Sequence, residues 1–272
     1  MKYSGRLPTT NVNVTETSPL KELAILLGGL FAIIFIVYWL LGLGVDFAIQ
    51  RLSPQQEKAL SFSLTSEYFS MSHDDVKSAA LQKIVDAMQS QCIHLPYAVK
   101  VFVVESKDVN AIALPGGTIL MFSGLLEKVR SENELAFILG HELGHFKHKD
   151  HLRGFGRGIV LIVLYALLFG VDDSADGVLS SFISFSESSH SRDQEFAADA
   201  VALESVQCRY GHVTGATRFF EELLKEEEPK LLGHFLASHP DSNQRIRDIT
   251  AQAREAGYPQ GSLVPLGSEF KG

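Results

Sequence analysis

The sequence has few cysteines and no cluster of basic residues, and each shortage narrows the possible functions. Its 272 residues include two cysteines, Cys92 and Cys208, and carry a net charge of −8. Without a basic patch, the chain is excluded from the proteins that bind nucleic acid through its phosphates. Two cysteines permit one disulfide in an oxidising compartment, and two buried free thiols explain them equally well.

The chain also lacks internal repeats and long low-complexity segments. Beyond an apolar N-terminal run, residues 46–272 are about as many as one domain with a full core requires. We therefore expect a polar tail at 1–20, a membrane anchor at 21–45 and one folded domain at 46–272.

Residues 23–45 are almost uninterruptedly apolar and contain no charge. A helix rises about 1.5 Å per residue, so this run is long enough to cross a bilayer. Tyr38 and Trp39 near its far end suit the membrane interface. Residues 42–44 (GLG) also resemble a signal-peptide cleavage site, but the run and its polar leader are too long for one. A retained anchor is the favoured interpretation.

The charges on either side of this run predict its orientation. Lys2, Arg6, Lys21 and the amino terminus precede it, whereas Asp46, Arg51 and Lys58 follow it. The slight positive excess before the run favours a cytoplasmic N-terminus. The folded domain is then extracytoplasmic, which is the periplasm in a bacterium.

Residues 141–145 have the sequence HELGH, in a stretch that predicts a helix. Histidines four apart share one helix face and can bind one zinc ion, while Glu142 faces the water that the metal activates. Ser131 and Glu134 form a capping-box pair that predicts the helix start. A match to HExxH alone arises by chance in about a few per cent of sequences this rich in histidine. A third ligand is therefore needed.

His151 is the first candidate for the third ligand, because its spacing is that of a metzincin. However, His148 occupies the position of the metzincin glycine, where the helix must end in a sharp turn. No methionine follows Met121 to form a Met-turn. We therefore interpret His148 and His151 as solvated residues beyond the motif.

Glu195 is the second candidate and lies in a predicted second helix. Asp199 is four residues further on, so the glutamate can reach the metal while the aspartate accepts the other ring proton of a ligand histidine. Ala197, Ala198 and Ala200 keep that helix slim enough to approach the first closely. Alone, the segment would be an ordinary amphipathic helix; beside HELGH, the ligand role is favoured.

Four blocks of the sequence resemble, in order, the HtpX and CAAX-prenyl-endopeptidase type of membrane-associated zinc metallopeptidase, in which a glutamate is the third ligand. The blocks are residues 110–117 (NAIALPGG), the HELGH helix, residues 192–199 (RDQEFAAD) and residues 238–241 (SHPD) with Arg245. The resemblance implies one zinc ion per chain, held by His141, His145 and Glu195, with Asp199 behind a ligand histidine.

The resemblance also implies roles for three residues around the metal. Glu142 would take a proton from the attacking water and pass it to the leaving amine. His239 and Arg245 would donate hydrogen bonds to the oxyanion that forms. In some relatives the matching histidine occupies the open zinc position and keeps the enzyme latent. His239 is therefore expected to be catalytic, regulatory or both.

Residues 99–104 and 119–122 are short apolar runs that predict strands, and residues 115–117 have turn chemistry. We expect a small sheet beside the HELGH helix. A hairpin that only packs beneath the helix fits the residues equally well. The resemblance favours an edge to which a substrate adds as a strand, formed by Asn110, Ala111, Leu114, Pro115 and Gly116. The expected fold is α+β and mainly helical, a zincin-like domain preceded by one transmembrane helix.

A second apolar run at 159–171 lies between the two motif helices and is too short to cross a bilayer. Gly154, Gly156 and Gly158 precede it and an acidic stretch follows it at 172–176, and both suggest flexible linkers. We expect residues 154–177 to form an apolar flap or a membrane-dipping insertion over the cleft.

The sequence thus predicts a membrane-anchored zinc endopeptidase that acts on protein or peptide substrates and contacts membrane lipid. Quality control of misfolded or damaged envelope proteins is the expected role. A non-catalytic chaperone or adaptor is the alternative from another class, and the metzincin arrangement with His151 is the alternative ligand set. Processing of prenylated proteins is a third possibility, but within the family it goes with several membrane spans, and this chain has one clear span.

Overall fold

The computed structural model describes residues 5, 18–58, 74–169, 190–225, 235, 238–239 and 241–270. Its helices are α1 (Pro19–Arg51), α2 (Asp75–Gln91), α3 (Ser123–Lys128), α4 (Glu132–His148), α5 (Asp150–Phe169), α6 (Arg192–Tyr210), α7 (Arg218–Leu223) and α8 (Ser242–Glu255). The strands are β1 (Lys100–Val104), β2 (Ala111–Leu114) and β3 (Thr118–Phe122). The mainly helical α+β fold that the sequence predicts is confirmed.

Helices α4 and α6 pack so closely that their backbones nearly touch. A Cβ atom added at Gly144 would lie 2.9 Å from Ala198 Cα, and one added at Gly140 would lie 3.0 Å from Ala202 Cα. Only the smallest side chains fit at such a crossing. The predicted use of small residues to bring the two motif helices together is confirmed at Ala198.

The ends of α4 are set by local interactions. The Ser131 hydroxyl oxygen accepts a hydrogen bond from Glu134 N at 3.3 Å, which is the predicted cap. After His148 the chain turns at Lys149, whose φ of 59° and ψ of 30° are left-handed. A metzincin would turn at His148, one residue earlier. The turn directs Asp150 and His151 back toward α4, where both are buried.

The three strands form one sheet in the order β1-β3-β2. β1 runs parallel to β3, and β2 runs antiparallel to it through a turn at 115–117. Gly116 and Gly117 both have φ of 83°, a backbone conformation that would be strained in a residue with a side chain. The predicted strands and turn are confirmed, but the turn joins β2 to β3, not the two predicted runs. β2 is an edge strand and contacts α4.

Helix α1 is the one helix of the described residues that is long and apolar enough to cross a membrane, with a mean hydropathy of 2.6. Its C-terminal part packs against α5, which runs antiparallel to it: Arg157 approaches Asp46 at 3.4 Å, and Gly156 lies against Val45.

The interpretation of Gly154, Gly156 and Gly158 as a linker was wrong, because all three lie within α5. The rest of the predicted insertion, 170–177, lies outside the described residues.

Cys92 and Cys208 form a disulfide with their Cα atoms 5.8 Å apart. Cys92 caps the C-terminus of α2 and Cys208 lies near the end of α6, so the bond joins these helices. Of the two explanations that the sequence left open, the structure therefore shows the disulfide. Its sequence separation of 116 residues means that it removes much entropy from the unfolded chain.

The contact between α4 and α6 makes Gly144 a sensitive position. In Gly144→Ala the new methyl group meets the Ala198 backbone, which cannot rotate away, so the helices must separate. We expect a loss of about 1–3 kcal/mol in the free energy of unfolding. Because Glu195 moves with α6, bound zinc should also fall, as metal analysis would show. Gly42→Ala is the control, since no atom lies within 4 Å of its added Cβ. Unchanged stability and zinc content in Gly144→Ala would contradict this account.

Candidate metal centre

Four buried side chains converge where α4 meets α6. His141 and His145 come from α4, Glu195 comes from α6, and His239 precedes α8. One donor atom from each lies within 4.8 Å of the others. His145 Nε2 is 3.0 Å from His141 Nε2 and 3.4 Å from Glu195 Oε1, and His141 Nε2 is 3.6 Å from Glu195 Oε2. The fold therefore brings the three predicted ligands together.

Two carboxylates orient the histidine rings. His141 Nδ1 lies 2.9 Å from Asp199 Oδ1, and His145 Nδ1 lies 3.1 Å from Asp150 Oδ2. Each Nε2 thereby faces the common centre, the arrangement that metal-binding histidines usually show. The sequence predicted Asp199 but missed Asp150, whose position depends on the left-handed turn at Lys149. A carboxylate five residues after the last motif histidine was the signal.

The donor set fits zinc. Zinc takes histidine nitrogen and carboxylate oxygen at about 2.0–2.2 Å in tetrahedral geometry, so its donors lie about 3.3–3.5 Å apart. The separations between His141, His145 and Glu195 are close to this spacing. His239 Nδ1, 3.2 Å from His141 Nε2 and 3.1 Å from Glu195 Oε1, is a fourth donor, and the third nitrogen, at the same centre.

The protonation of the two histidines differs. Burial, with the charge of Arg245, lowers the pKa of His141 to about 3, so its ring is neutral and can ligate. Burial also lowers the pKa of His145, but hydrogen bonds to Asp150 and Glu195 outweigh it and raise the pKa to about 10. Metal binding at His145 therefore displaces a proton.

Arg245 is buried beside the two carboxylates of α6. Its Nε donates to Asp199 Oδ2 at 2.9 Å, and its Nη1 forms a 2.7 Å ion pair with Glu195 Oε2, at an angle outside the hydrogen-bond range. The guanidinium also lies over the Phe220 ring, 4.4 Å from its centre. Burial alone would raise the pKa of Asp199, but Arg245 and His141 hold it below its ordinary value. Arg245 thus keeps Asp199 ionised and in place.

Glu142 is buried between the two histidines and faces a cleft. Burial raises its pKa, and the charges of His239 and His145 offset part of the rise. His239 Nε2 is 3.8 Å from Glu142 Oε1. A carboxylate whose pKa is raised is better able to hold a proton between two steps of a reaction.

The cleft lies between β2 and residues of α4, of the first turn of α5 and of the segments that precede α6 and α8. Its lining residues are Asn110, Ala111, Ile112, Ala113, Glu142, His151, His190, Ser238 and His239. Asn110 and Ala111 were predicted to bind substrate and do line it. Leu114 is instead buried in a small cluster on the sheet, and Pro115 and Gly116 lie in the turn beyond. Their role in substrate binding stays a prediction.

The sequence interpretation was wrong for one histidine of the cleft, His151, and did not single out another, His190. His151 was expected to be solvated, which is wrong: it is buried, and its Nε2 lies 2.8 Å from Glu57 Oε1, directed away from the metal centre. His190 was not singled out; its ring stacks on that of His145 with centroids 3.9 Å apart. Burial holds the pKa of His190 well below its usual range. No spacing signal marks it, because it lies before α6.

Comparison with known proteins agrees with this geometry. The chain is similar to the mitochondrial metalloendopeptidase OMA1 of Arabidopsis thaliana, with 30% identity over 57% of this chain and 31% of the relative. It is also similar to the metalloprotease LoiP of Escherichia coli, with 28% identity over 75% of this chain and 82% of LoiP. The metalloprotease YcaL of the same organism is 29% identical over 62% of this chain and 67% of YcaL.

The chain thus spans about a third of the length of the OMA1 relatives of Arabidopsis thaliana and Bos taurus, 31% in each case. Residues 75–253 match the model of peptidase family M48, a range that includes every donor of the metal centre. Because this match covers more than half of its length, the chain belongs to peptidase family M48.

Proposed function

We propose that this protein is a membrane-anchored, zinc-dependent endopeptidase. The observation that carries the proposal is the convergence of His141, His145 and Glu195 on one centre while Glu142 faces the adjoining cleft. Family membership supports the same chemistry. Zinc, when bound by these three residues, would lower the pKa of water and polarise the scissile carbonyl.

The side chains around the centre supply the remaining chemistry. Glu142 takes the proton of the attacking water and later delivers it to the leaving nitrogen, and its burial suits it to hold that proton. Asp199 and Asp150 keep the ligand rings in place. His239 lies close enough to the centre to donate to the developing oxyanion or to occupy a ligand position. Arg245 contributes through Asp199 and Glu195, which it contacts directly.

The substrate is a polypeptide in extended form. The cleft has β2 along one side, and an extended chain can add to a sheet edge through backbone hydrogen bonds. Such binding tolerates many sequences, because the backbone is common to all of them. This suits the removal of misfolded or damaged envelope proteins, in which extended segments are accessible.

The catalytic domain lies outside the cytosol in this proposal. The apolar helix α1 is the membrane anchor, and the weak positive bias before it favours a cytoplasmic N-terminus. The disulfide between Cys92 and Cys208 supports the same orientation, since such bonds persist in oxidising compartments. The apolar part of α5 runs back along α1, so we place it at the lipid surface.

Substitution of the proposed base separates metal binding from catalysis. Glu142→Gln should retain one zinc per chain, because Glu142 is not a ligand. Peptide hydrolysis should fall by about 10²–10⁴-fold, the usual contribution of a positioned acid–base group. Metal analysis and cleavage of an unfolded protein by the membrane-inserted enzyme would measure the two effects. A wild-type protein that binds zinc but cleaves nothing would favour the chaperone or adaptor alternative.

The ligand set is tested by two alanine variants. Glu195→Ala should lose zinc, because it removes one of the three converging donors. His151→Ala should keep zinc, because that ring points at Glu57. Metal content, measured beside thermal unfolding to confirm folding, distinguishes them. Zinc lost in His151→Ala and kept in Glu195→Ala would establish the metzincin set instead.

The orientation is tested by protease protection in sealed vesicles of known sidedness. Residues 46–272 should be digested only when the extracytoplasmic face is accessible, because α1 is the retained anchor. Digestion from the cytosolic face alone would reverse the orientation. Recovery of a shortened, soluble form would restore the signal-peptide interpretation.

A further inference from the structure

Glu57 is a buried carboxylate in the short segment that follows the apolar helix α1. Its side chain is 2% exposed. One oxygen, Oε1, accepts from Tyr97 Oη at 2.7 Å and from Gly116 N at 3.3 Å, and lies 2.8 Å from His151 Nε2. A buried carboxylate is costly unless it is paired or hydrogen-bonded, so these contacts account for its burial. The residue lies outside the region that matches family M48, which begins at 75.

Glu57 contacts two parts of the molecule that border the cleft. Gly116 belongs to the turn that joins β2 to β3, so it fixes one end of the strand that forms a cleft wall. His151, in the first turn of α5, lines the cleft itself. A single oxygen atom therefore connects the turn at the end of β2 with His151 of the cleft lining.

An aromatic cluster supports this connection from beneath. The rings of Tyr97 and His151 pack on Phe146, with centroids 6.2 Å and 4.6 Å from it, and Phe146 adjoins the ligand His145. Gly117 lies on the Tyr97 ring, where an added Cβ would come within 2.9 Å of Tyr97 Cδ2. The turn, the aromatic cluster and α4 are thus packed as one unit around Glu57.

The end of α1 is held to the same unit. Lys149 Nζ donates to Ile49 O at 3.1 Å and to Leu52 O at 3.2 Å, which binds the last turn of α1 to the end of α4. Glu57 follows a few residues later. Because the connecting segment is short, the position of the anchor helix and that of the carboxylate are linked.

The charge of Glu57 agrees with this structural role. Burial raises its pKa, but hydrogen bonds from His151 and Tyr97 outweigh burial and hold the pKa below its ordinary value. The side chain is therefore ionised at neutral pH. Hydrogen bonds to a charged acceptor are stronger than those to a neutral one.

We propose that Glu57 is a positioning residue that fixes the β2–β3 turn relative to His151, and so aligns an extended substrate along β2. The inference rests on the proposed function, because it takes β2 as the edge to which the substrate binds. It assigns to the segment after the anchor a part in substrate binding: the anchor holds the catalytic domain and also braces one end of its cleft.

The test uses the full-length, zinc-loaded protein in membranes and the variant Glu57→Leu. This substitution removes the hydrogen-bond acceptor and fills its buried position with an apolar side chain. KM for a long unstructured polypeptide should rise about tenfold, the factor that one hydrogen bond to a charged group represents. A peptide too short to reach the turn should show a much smaller change in KM. Glu57→Gln, which keeps an uncharged acceptor, should fall between Glu57→Leu and the wild type. Gln55→Ala is the control, because Gln55 is exposed and lies two positions before Glu57. It should change KM for neither substrate.

Hydrogen exchange of residues 111–118 gives a readout that does not depend on proteolysis. In both Glu57 variants the Gly116 amide should exchange faster than in the wild type, since its acceptor is lost or weakened. If the variants exchange faster but the wild-type protein cleaves nothing, Glu57 still holds the turn in place, and only the proposed peptidase function is wrong. Wild-type exchange and wild-type KM in both variants would overturn the inference. An equal fall of kcat on both substrates with loss of zinc would also overturn it, because Glu57 would then support the metal centre and not the substrate edge.

Discussion

The metal centre is built on the near-contact of helices α4 and α6. Gly144 lies directly against the Ala198 backbone, so the two helices are as close as main chains allow. Only at this separation can a glutamate of α6 reach the histidines of α4 with its short side chain. The disulfide between Cys92 and Cys208 joins the far end of α6 to α2 and secures the same arrangement covalently.

Charge burial is the second feature of the centre. Four carboxylates, on Glu142, Asp150, Glu195 and Asp199, are buried around the centre. The buried Arg245 pairs with Glu195 and Asp199, and Arg153 pairs with Asp150. Unpaired charges in such a site are costly, and each pairing found here offsets part of the cost. A divalent cation between the histidines brings the remaining positive charge. The donor geometry and the excess of buried negative charge therefore both favour a bound divalent cation.

The structure divides the substrate cleft between distant parts of the chain. One wall is the edge strand β2, and the other is formed by the metal helix and the residues just beyond its end. Glu57, which follows helix α1, contacts the β2–β3 turn and His151. The geometry of the cleft thus depends on a segment that the family pattern does not include. Under the proposed role of Glu57, membrane anchoring and the alignment of substrate depend on the same short stretch of chain.

Local sequence patterns were enough to predict the HELGH helix and its cap at Ser131, the second motif helix, strands β1 and β3 and the long apolar helix. These follow from periodicity, capping and turn chemistry within a few residues. The packed fold was needed to show that Asp150 orients His145, that His151 is buried against Glu57, and that the cysteines pair. The left-handed turn at Lys149 redirects the chain, and contacts between residues some 40 to 120 positions apart leave no periodic trace in the sequence. Such contacts arise only when the helices have packed.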